Sequence, residues 1–379
     1  MGNLPDRHLG DRGIPGDTAL LPGFGRIVKT ADRIGSGGAG VDRPSVAIIG
    51  AGMAGLACAA MLTKQGFAVE VFDKGRRPGG RIATRRTPFG CFDHGAQYFT
   101  ANDPHLRAWT EEGKAAGKLG RWDGALAAAG DGRVQPASGA EQRWVGVPGM
   151  SAVAAHLAAD LAIRSELRIV RLVRAGDAWR LHGHDGAAVG NANIVIIAVP
   201  APQAVELLSA IPRLAGRAAE AVMLPCWAAM LGYAMPLPLP FDGAFINGGP
   251  LSWICRNTSK PGRAGDEAWV VQASPEWSHD HLGDDAVSIC EALREAFARA
   301  TGVERPAPVF MAAHRWRYAR VATPLGTSCL FDDELRIGAC GDWCLGANIE
   351  AAFRSGQAMA ETILAHQGIM VAAGRPGSR

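Results

Sequence analysis

The sequence predicts an α/β dinucleotide-binding fold joined to a second, α+β domain built on an antiparallel sheet, and three observations carry that expectation. An apolar strand, SVAIIG, runs directly into the glycine pattern Gly50-Ala51-Gly52-Met53-Ala54-Gly55 and an Ala- and Leu-rich helix, with another strand, AVEVFD, at 68–73. Two further apolar strands, IVIIAV at 194–199 and LRIGAC at 335–340, each lead into helical sequence. Between them lies a series of strand-like segments with one amphipathic helix.

In chain order, residues 1–44 are crowded with Gly, Pro, Asp and Arg and lack periodicity, which predicts a flexible extension. Val46 to Ile49 make a short strand, and Gly50 opens a turn into a helix that Gly66 stops after about Gln65. AVEVFD completes a β-α-β unit with a parallel pair. APQAVELL, after the strand at 194–199, reads as a helix beginning near a proline. After the strand at 335–340, Ile349, Ala352, Phe353, Met359, Ile363 and Leu364 recur at helical spacing. Strand-like segments at 227–233, 251–256, 268–274 and 308–316, with a helix at 285–302, suit an antiparallel sheet covered on one side. The dinucleotide domain is thus expected from 45–101, 145–202 and 318–366, the second domain from 102–144 and 203–317, and a flexible tail from 367–379.

Composition narrows the function. A chain of 379 residues exceeds one compact core, so two interwoven domains are expected. Net charge is only +3 and no block of like charge stands out, which argues against nucleic acid as a partner. The longest apolar runs are too short to span a bilayer, and no basic start precedes an apolar stretch, so no membrane and a cytoplasmic place are expected. Eight scattered cysteines in such a chain predict no disulfide framework.

The glycine pattern stands where its chemistry needs it. The first glycine permits the tight turn, the second lets the backbone approach a pyrophosphate, and the third lets helix and strand pack closely. Free N–H groups at the helix N-terminus then face the phosphates. Asp73, ending the second strand, can take ribose hydroxyls. NAD and FAD both suit this unit. The next stretch, Lys74-Gly75-Arg76-Arg77-Pro78-Gly79-Gly80-Arg81 followed by Phe92-Asp93-His94-Gly95-Ala96-Gln97-Tyr98-Phe99, favours the longer cofactor, with Arg81 as the cation for its phosphates. The plain alternatives are a glycine-rich structural turn and a basic surface turn.

GAGMAGL, FDKGRRPGGR, DHGAQYFTA, RWVGVPGMSA, AVPAPQA, NTSKPGR, HRWRYAR and CGDWCLGANIEAAFRSGQ together resemble the flavin amine oxidase superfamily and, within it, the bacterial renalases, over about residues 45–365. The resemblance implies a Rossmann-like FAD-binding domain of glutathione-reductase/amine-oxidase type with non-covalent FAD. It implies a metabolite-repair oxidase that takes a hydride from misreduced dihydropyridine isomers of NAD(P)H, gives NAD(P)+, and passes the electrons to O2 as H2O2. By motif, Gly50, Gly52, Met53, Ala54, Gly55, Asp73, Lys74, Gly80, Arg81, Ala96, Gln97, Tyr98, Ile169, Gly341, Asp342 and Ile349 would hold FAD. Tyr98, Phe99, Thr100, Ala101 and Asn102 would line the substrate side, with Cys226, Trp253, His314 and Asn348 nearby. Two positions depart from the bacterial pattern: Cys226 stands where a Thr is expected, and Asn348 where an Arg would pair with a dinucleotide's phosphates.

A neutral dihydropyridine that loses a hydride becomes an aromatic cation, so no acid/base residue is required, and no catalytic dyad is evident. The helix near Ile349 can stabilise negative charge at the flavin N1–C2=O edge, and Asp342 can accept from ribityl hydroxyls. Trp253, Trp316 and Tyr98 can stack on a planar ring, core packing being the plain reading of each. His314, at a strand end, is as readily a structural histidine as a ligand.

Three rival readings remain at this stage. An amine oxidase acting on a small amine needs an aromatic cage, and the chain has only three tyrosines, Tyr98, Tyr233 and Tyr318. Many superfamily members also hold a Lys near flavin N5. Beyond Lys118 the chain has only Lys260, in a Thr-Ser-Lys-Pro-Gly turn where no fixed catalytic group is expected. The others are a non-enzymatic flavin or NAD-binding module, and a flavin attached covalently through Cys329. In CGDWC (340–344) the two cysteines lack the second ligand pair a zinc site needs, so no metal is expected and the weight falls on Asp342.

Overall fold

In the computed structural model, which describes residues 43–130, 133–137, 141–263, 265–303 and 307–369, the apolar run Val46–Ile49 becomes an inner strand of a six-stranded sheet. The order is Leu330–Asp332, Ile337–Ala339, Ile194–Ile197, Val46–Ile49, Val69–Phe72 and Ile163–Arg164. Every pair is parallel except the first. Val46–Ile49 and Ile194–Ile197 are buried at every position because both faces of the sheet are covered. Alternate residues feed opposite layers. Val46 and Ile48 pack with Leu56, Met359 and Ile363 of the helices Met53–Lys64 and Ile349–His366. Ala47 and Ile49 pack instead with Trp179, Leu181, Ala204 and Leu214.

The second sheet has seven strands, in the order Phe310–Thr323, Val222–Tyr233, Glu267–Ala273, Leu251–Arg256, Gly243–Ile246, Leu126–Gly130 and Arg133–Pro136. It is antiparallel apart from the pair Gly243–Ile246 with Leu126–Gly130. The helix Ala286–Thr301 covers it through Ile289, Leu293, Ala296 and Phe297, which pack on Leu231 and Trp269. Asp285 caps this helix by accepting from Val287 and Ser288 N–H, and Gly302 closes it at φ +67°.

The structure departs from the sequence expectations in four places. The strand Phe310–Thr323 runs unbroken through 317–318, where a change of domain is expected. Its partner begins at Val222, ahead of the expected 227, because Pro225 is accommodated at a register shift between Leu224 and Cys226. A three-stranded antiparallel sheet, Ile169–Ala175, Ala178–Gly183 and Ala188–Ala192, fills a stretch with no strand assignment from sequence. The segment Leu126–Gly130 is a strand despite its run of alanines, since pairing on both sides, with Gly243–Ile246 and Arg133–Pro136, overrides propensity. The tails expected to be flexible, 1–44 and 367–379, lie outside the described residues apart from 43–44 and 367–369. Among the described residues no helix is long and apolar enough to cross a membrane.

Candidate cofactor and substrate site

The glycine turn is pinned from two sides. Gly50 N–H donates to the Phe72 carbonyl at 2.8 Å, and its φ of +110° suits glycine; a Cβ there would stand 2.4 Å from the Ala198 carbonyl oxygen. Asp73 accepts from Ala51 N–H at 2.7 Å and from Gly75 N–H at 2.6 Å, so its carboxylate ties the turn to the strand that carries it. The following helix has Gly52 as its N-cap and no side-chain cap, which leaves first-turn N–H groups for a ligand. A Cβ on Gly52 would meet nothing within 4 Å. One on Gly55 would lie 2.0 Å from the Gly50 carbonyl oxygen, so Gly55 serves packing.

Two joined cavities open from this turn. One of about 940 Å³ extends past Asp73, Ile169 and Asp342 to the strand at 313–318. The other, of about 540 Å³, reaches Gln97–Thr100, Cys226 and Trp253; Gly52, Met53, Arg81, Trp316, Asp342 and Ala352 line both. The first volume lies toward the upper end of the roughly 300–1,000 Å³ of small-molecule sites. An open glycine cradle, an uncapped helix N-terminus and the basic side chains Lys74, Arg77 and Arg168 in the wall fit a phosphate-bearing dinucleotide.

Of the residues singled out from sequence, Gly50, Gly52, Met53, Ala54, Asp73, Lys74, Gly80, Arg81, Ile169, Gly341 and Asp342 line the larger cavity. Ala96, Gln97, Tyr98, Phe99, Thr100, Cys226, Trp253, Asn348 and Ile349 line the smaller. Ala101 and Asn102 line neither. The chain turns away after Thr100 into the helix Pro104–Ala115, and Glu350 accepts from the N–H groups of Asn102 (2.9 Å) and Asp103 (3.0 Å). His314 lines the larger cavity and not the one beside Tyr98. Register explains this, because Cys226 is paired with Trp316 while His314 is paired with Ala228, farther along the strand.

The expected phosphate cation is engaged elsewhere. Arg81 grips Asp342 in a two-point pair at 2.6 and 2.7 Å and donates to the Ala319 carbonyl at 3.1 Å. Arg77, Arg168 and Arg317, given no role from sequence, are further guanidinium groups in the wall with Lys74, while Arg315 donates to the Leu282 carbonyl. Asn348 lines the cavity but also caps the last helix, accepting from Ala351 N–H at 2.7 Å.

Lys260 corrects the expectation drawn from its turn. It is 2 % exposed, and its Nζ donates to Gln97 Oε1 at 3.0 Å, Asp93 Oδ2 at 3.4 Å and Asn257 Oδ1 at 3.4 Å. Asp93 is fully buried and also accepts from Arg263 (2.6 and 3.2 Å), Thr84 Oγ1 (2.6 Å) and Met150 N–H (2.8 Å). Its carboxyl lies below the usual range: burial opposes ionisation, but the Lys260 and Arg263 cations and these hydrogen bonds outweigh it.

The smaller cavity is walled by rings. Tyr98 and Trp253 have centroids 5.9 Å apart, Phe245 lies 4.7 Å from Trp253, and Trp316 is fixed by donating to the His94 carbonyl at 2.8 Å. The buried Trp253 Nε1 has no hydrogen-bond partner among the described residues. Most ionisable groups at this wall are committed or neutral. Asp342 holds Arg81, Glu350 holds two backbone N–H groups, and burial pushes the Cys226 thiol up to about 12. Burial likewise raises the Tyr98 hydroxyl. Glu141 and Arg320 are exposed on the wall.

Cys340 and Cys344 do not form one site. Cys340 packs in the layer with Cys58 and Met359, and Cys344 in the layer with Trp343 and Ile337. Among the described residues no group of three or more His, Cys, Asp or Glu could hold a metal ion.

A mostly parallel sheet covered on both faces, with a glycine turn opening onto cavities that an antiparallel sheet also walls, is a dinucleotide-binding fold. The chain belongs to the flavin containing amine oxidoreductase family, whose profile matches residues 125–364, while residues 48–112 match an NAD(P)-binding Rossmann-like domain. Over 51 residues it is 47% identical to lysine-specific histone demethylase 1 homolog 1 of Arabidopsis thaliana, a match covering 14% of this chain and only 6% of that protein.

Solved structures agree on the fold. An Exiguobacterium sp. 255-15 protein assigned as a protoporphyrinogen oxidase superposes with a TM-score of 0.70 at 14% identity, covering 86% of this chain and 99% of that one. Cyclohexylamine oxidase from Brevibacterium oxydans IH-35A gives 0.66 at 14% identity over 86% and 99%. Putrescine oxidase bound to putrescine gives 0.63 at 15% over 85% and 99%. At these identities the likeness is one of fold.

Proposed function

We propose that this chain is a cytoplasmic FAD-dependent oxidase of renalase type, which oxidises misreduced dihydro-NAD(P) isomers to NAD(P)+ with non-covalently held FAD. The observation that carries this reading is the smaller cavity: aromatic walls that suit a planar ring, beside carboxylates already engaged by Arg81 or by backbone N–H groups. Removing a hydride from a neutral dihydropyridine yields an aromatic cation and needs no base, whereas positioning is everything. When bound, FAD supplies the two-electron acceptor and, through reoxidation by O2, releases H2O2.

The chain's own contribution is to hold and orient. Tyr98 and Trp253, with ring centroids 5.9 Å apart and planes inclined at 57°, form an aromatic corner against which one face of the substrate ring stacks. Exposed Arg320 meets the substrate's phosphates in place of the Arg that Asn348 lacks. The N-terminus of the helix Ile349–His366 favours negative charge where it meets the cavity.

A second reading, oxidation of a small amine, is favoured by the family and by Glu141, an exposed carboxylate on the wall that could meet an ammonium group. Peroxide release separates the two. The 2-dihydro and 6-dihydro isomers of NAD(P)H are expected to support rapid turnover, with small aliphatic and aromatic amines inert. Fast turnover of an amine alone would replace the first reading with the second.

A further inference from the structure

We propose that Lys260 is a positioning residue whose ammonium, acting through the Gln97 amide, favours negative charge in the adjoining cavity and so raises the potential of the bound flavin and keeps its reduced form anionic. The inference rests on the cofactor site alone and is independent of which substrate the enzyme takes.

The geometry of the cluster carries it. Three acceptors surround Lys260 Nζ, matching the three donors of an ammonium group. Arg263 adds a second cation, 8 % exposed, which also donates to the carbonyls of Gly146 and Pro261. Asp93 is the one carboxylate that either cation meets among the described ion pairs. The buried cluster therefore carries an excess of one positive charge, an arrangement that is costly in a low-dielectric interior unless something offsets it.

The offset can come from the cavity side. Gln97 is the cluster member that lines the cavity, and its orientation is fixed. Its Nε2 donates to the Asp93 carbonyl and to the Gly95 carbonyl (2.9 Å), and its Oε1 faces Lys260. Both polar atoms of the amide are thus spent inside the protein, so Gln97 presents the field of the cluster to a ligand and not a free hydrogen-bonding group. A species that gains negative charge on reduction is stabilised there relative to its oxidised form.

The test is the two-electron potential of flavin-loaded enzyme, measured by equilibration with a reference dye. Lys260→Met removes the charge while Asp93 keeps Arg263 as its partner. We expect the oxidised-to-reduced equilibrium to move at least tenfold toward the oxidised form, a fall of about 30 mV. Sulfite, which adds to flavin as an anion, should bind correspondingly more weakly. Lys260→Arg should return both readings toward wild type. An unchanged potential in flavin-loaded Lys260→Met overturns the proposal and leaves the cofactor reading intact. Should that variant not hold flavin, the wild-type enzyme decides. Reduced flavin that is anionic at a pH where free reduced flavin is protonated, read by nitrogen NMR at N1, supports the proposal; a neutral reduced flavin overturns it. A wild-type protein that retains no flavin overturns both readings together.

Discussion

Gly52→Ala separates cofactor binding from folding, because the structure assigns opposite consequences to it and to Gly55→Ala. Gly52 sits at φ −79° and ψ 179°, a conformation open to any residue, and a Cβ there meets nothing within 4 Å. Replacing an unstrained glycine by alanine stabilises by about 0.4–1 kcal/mol through the unfolded chain. Alanine is the poorer N-cap by a similar amount, so the net change should stay within about 1 kcal/mol. The new methyl group nevertheless stands in the cavity wall where a pyrophosphate meets the helix N-terminus. Losing one charge-assisted hydrogen bond there costs about 1.5–3 kcal/mol, roughly a ten- to hundredfold rise in Kd. Thermal unfolding of the apoprotein and titration of flavin by fluorescence quenching read the two effects. Gly55→Ala, whose Cβ would stand 2.0 Å from the Gly50 carbonyl oxygen, should lower both. Gly52→Ala with unchanged flavin affinity would refute the cradle assignment.

Two further outcomes follow from burial. His94 is 7 % exposed with its Nδ1 unpartnered among the described residues. Burial, then His314 and Arg85, lower its ring to about 4 against contributions from the Phe92 backbone and Asp93 that raise it. The unfolded chain binds that proton near 6.5, so the contribution is complete above pH 6.5 and is lost as pH falls toward about 4. Denaturant titrations should show a fall of roughly 3 kcal/mol across that window, flattened in His94→Gln. Cys340 and Cys344 should resist alkylation in the native protein at pH 8, because burial raises both thiols, that of Cys344 to about 12; mass spectrometry after iodoacetamide checks this, and rapid modification would contradict it.

How much of this was legible in the sequence depends on the range of the interaction. The strands Val46–Ile49 and Ile194–Ile197 and the glycine turn were legible because an unbroken apolar tetrad and a positive-φ glycine are local signatures. The expected segment 227–233 is shorter than the strand Val222–Tyr233, because the register shift that accommodates Pro225 shows only in its pairing with the partner strand. The site was legible as a set of positions and less so as a set of roles. Arg81 and Asp342 were each assigned to the cofactor, yet 261 positions separate the two ends of the pair they form, and no local pattern announces it. The Thr-Ser-Lys-Pro-Gly turn marks Lys260 as no fixed group, although its surroundings come from Asp93 and Gln97, more than 160 positions away. A clue was present: a Lys in a chain poor in Lys, next to Asn257 and Arg263, downstream of a lone Asp in an apolar strand.

Anaerobic stopped-flow reduction tests the central claim most directly, since it sees hydride transfer without depending on O2. Mixed with 2-dihydro and 6-dihydro isomers of NAD(P)H, the enzyme should lose its oxidised flavin absorbance rapidly, with ordinary NADH and a panel of amines far slower. Fast bleaching by an amine while every dihydropyridine isomer fails would contradict the account and leave the fold and the cofactor cradle standing.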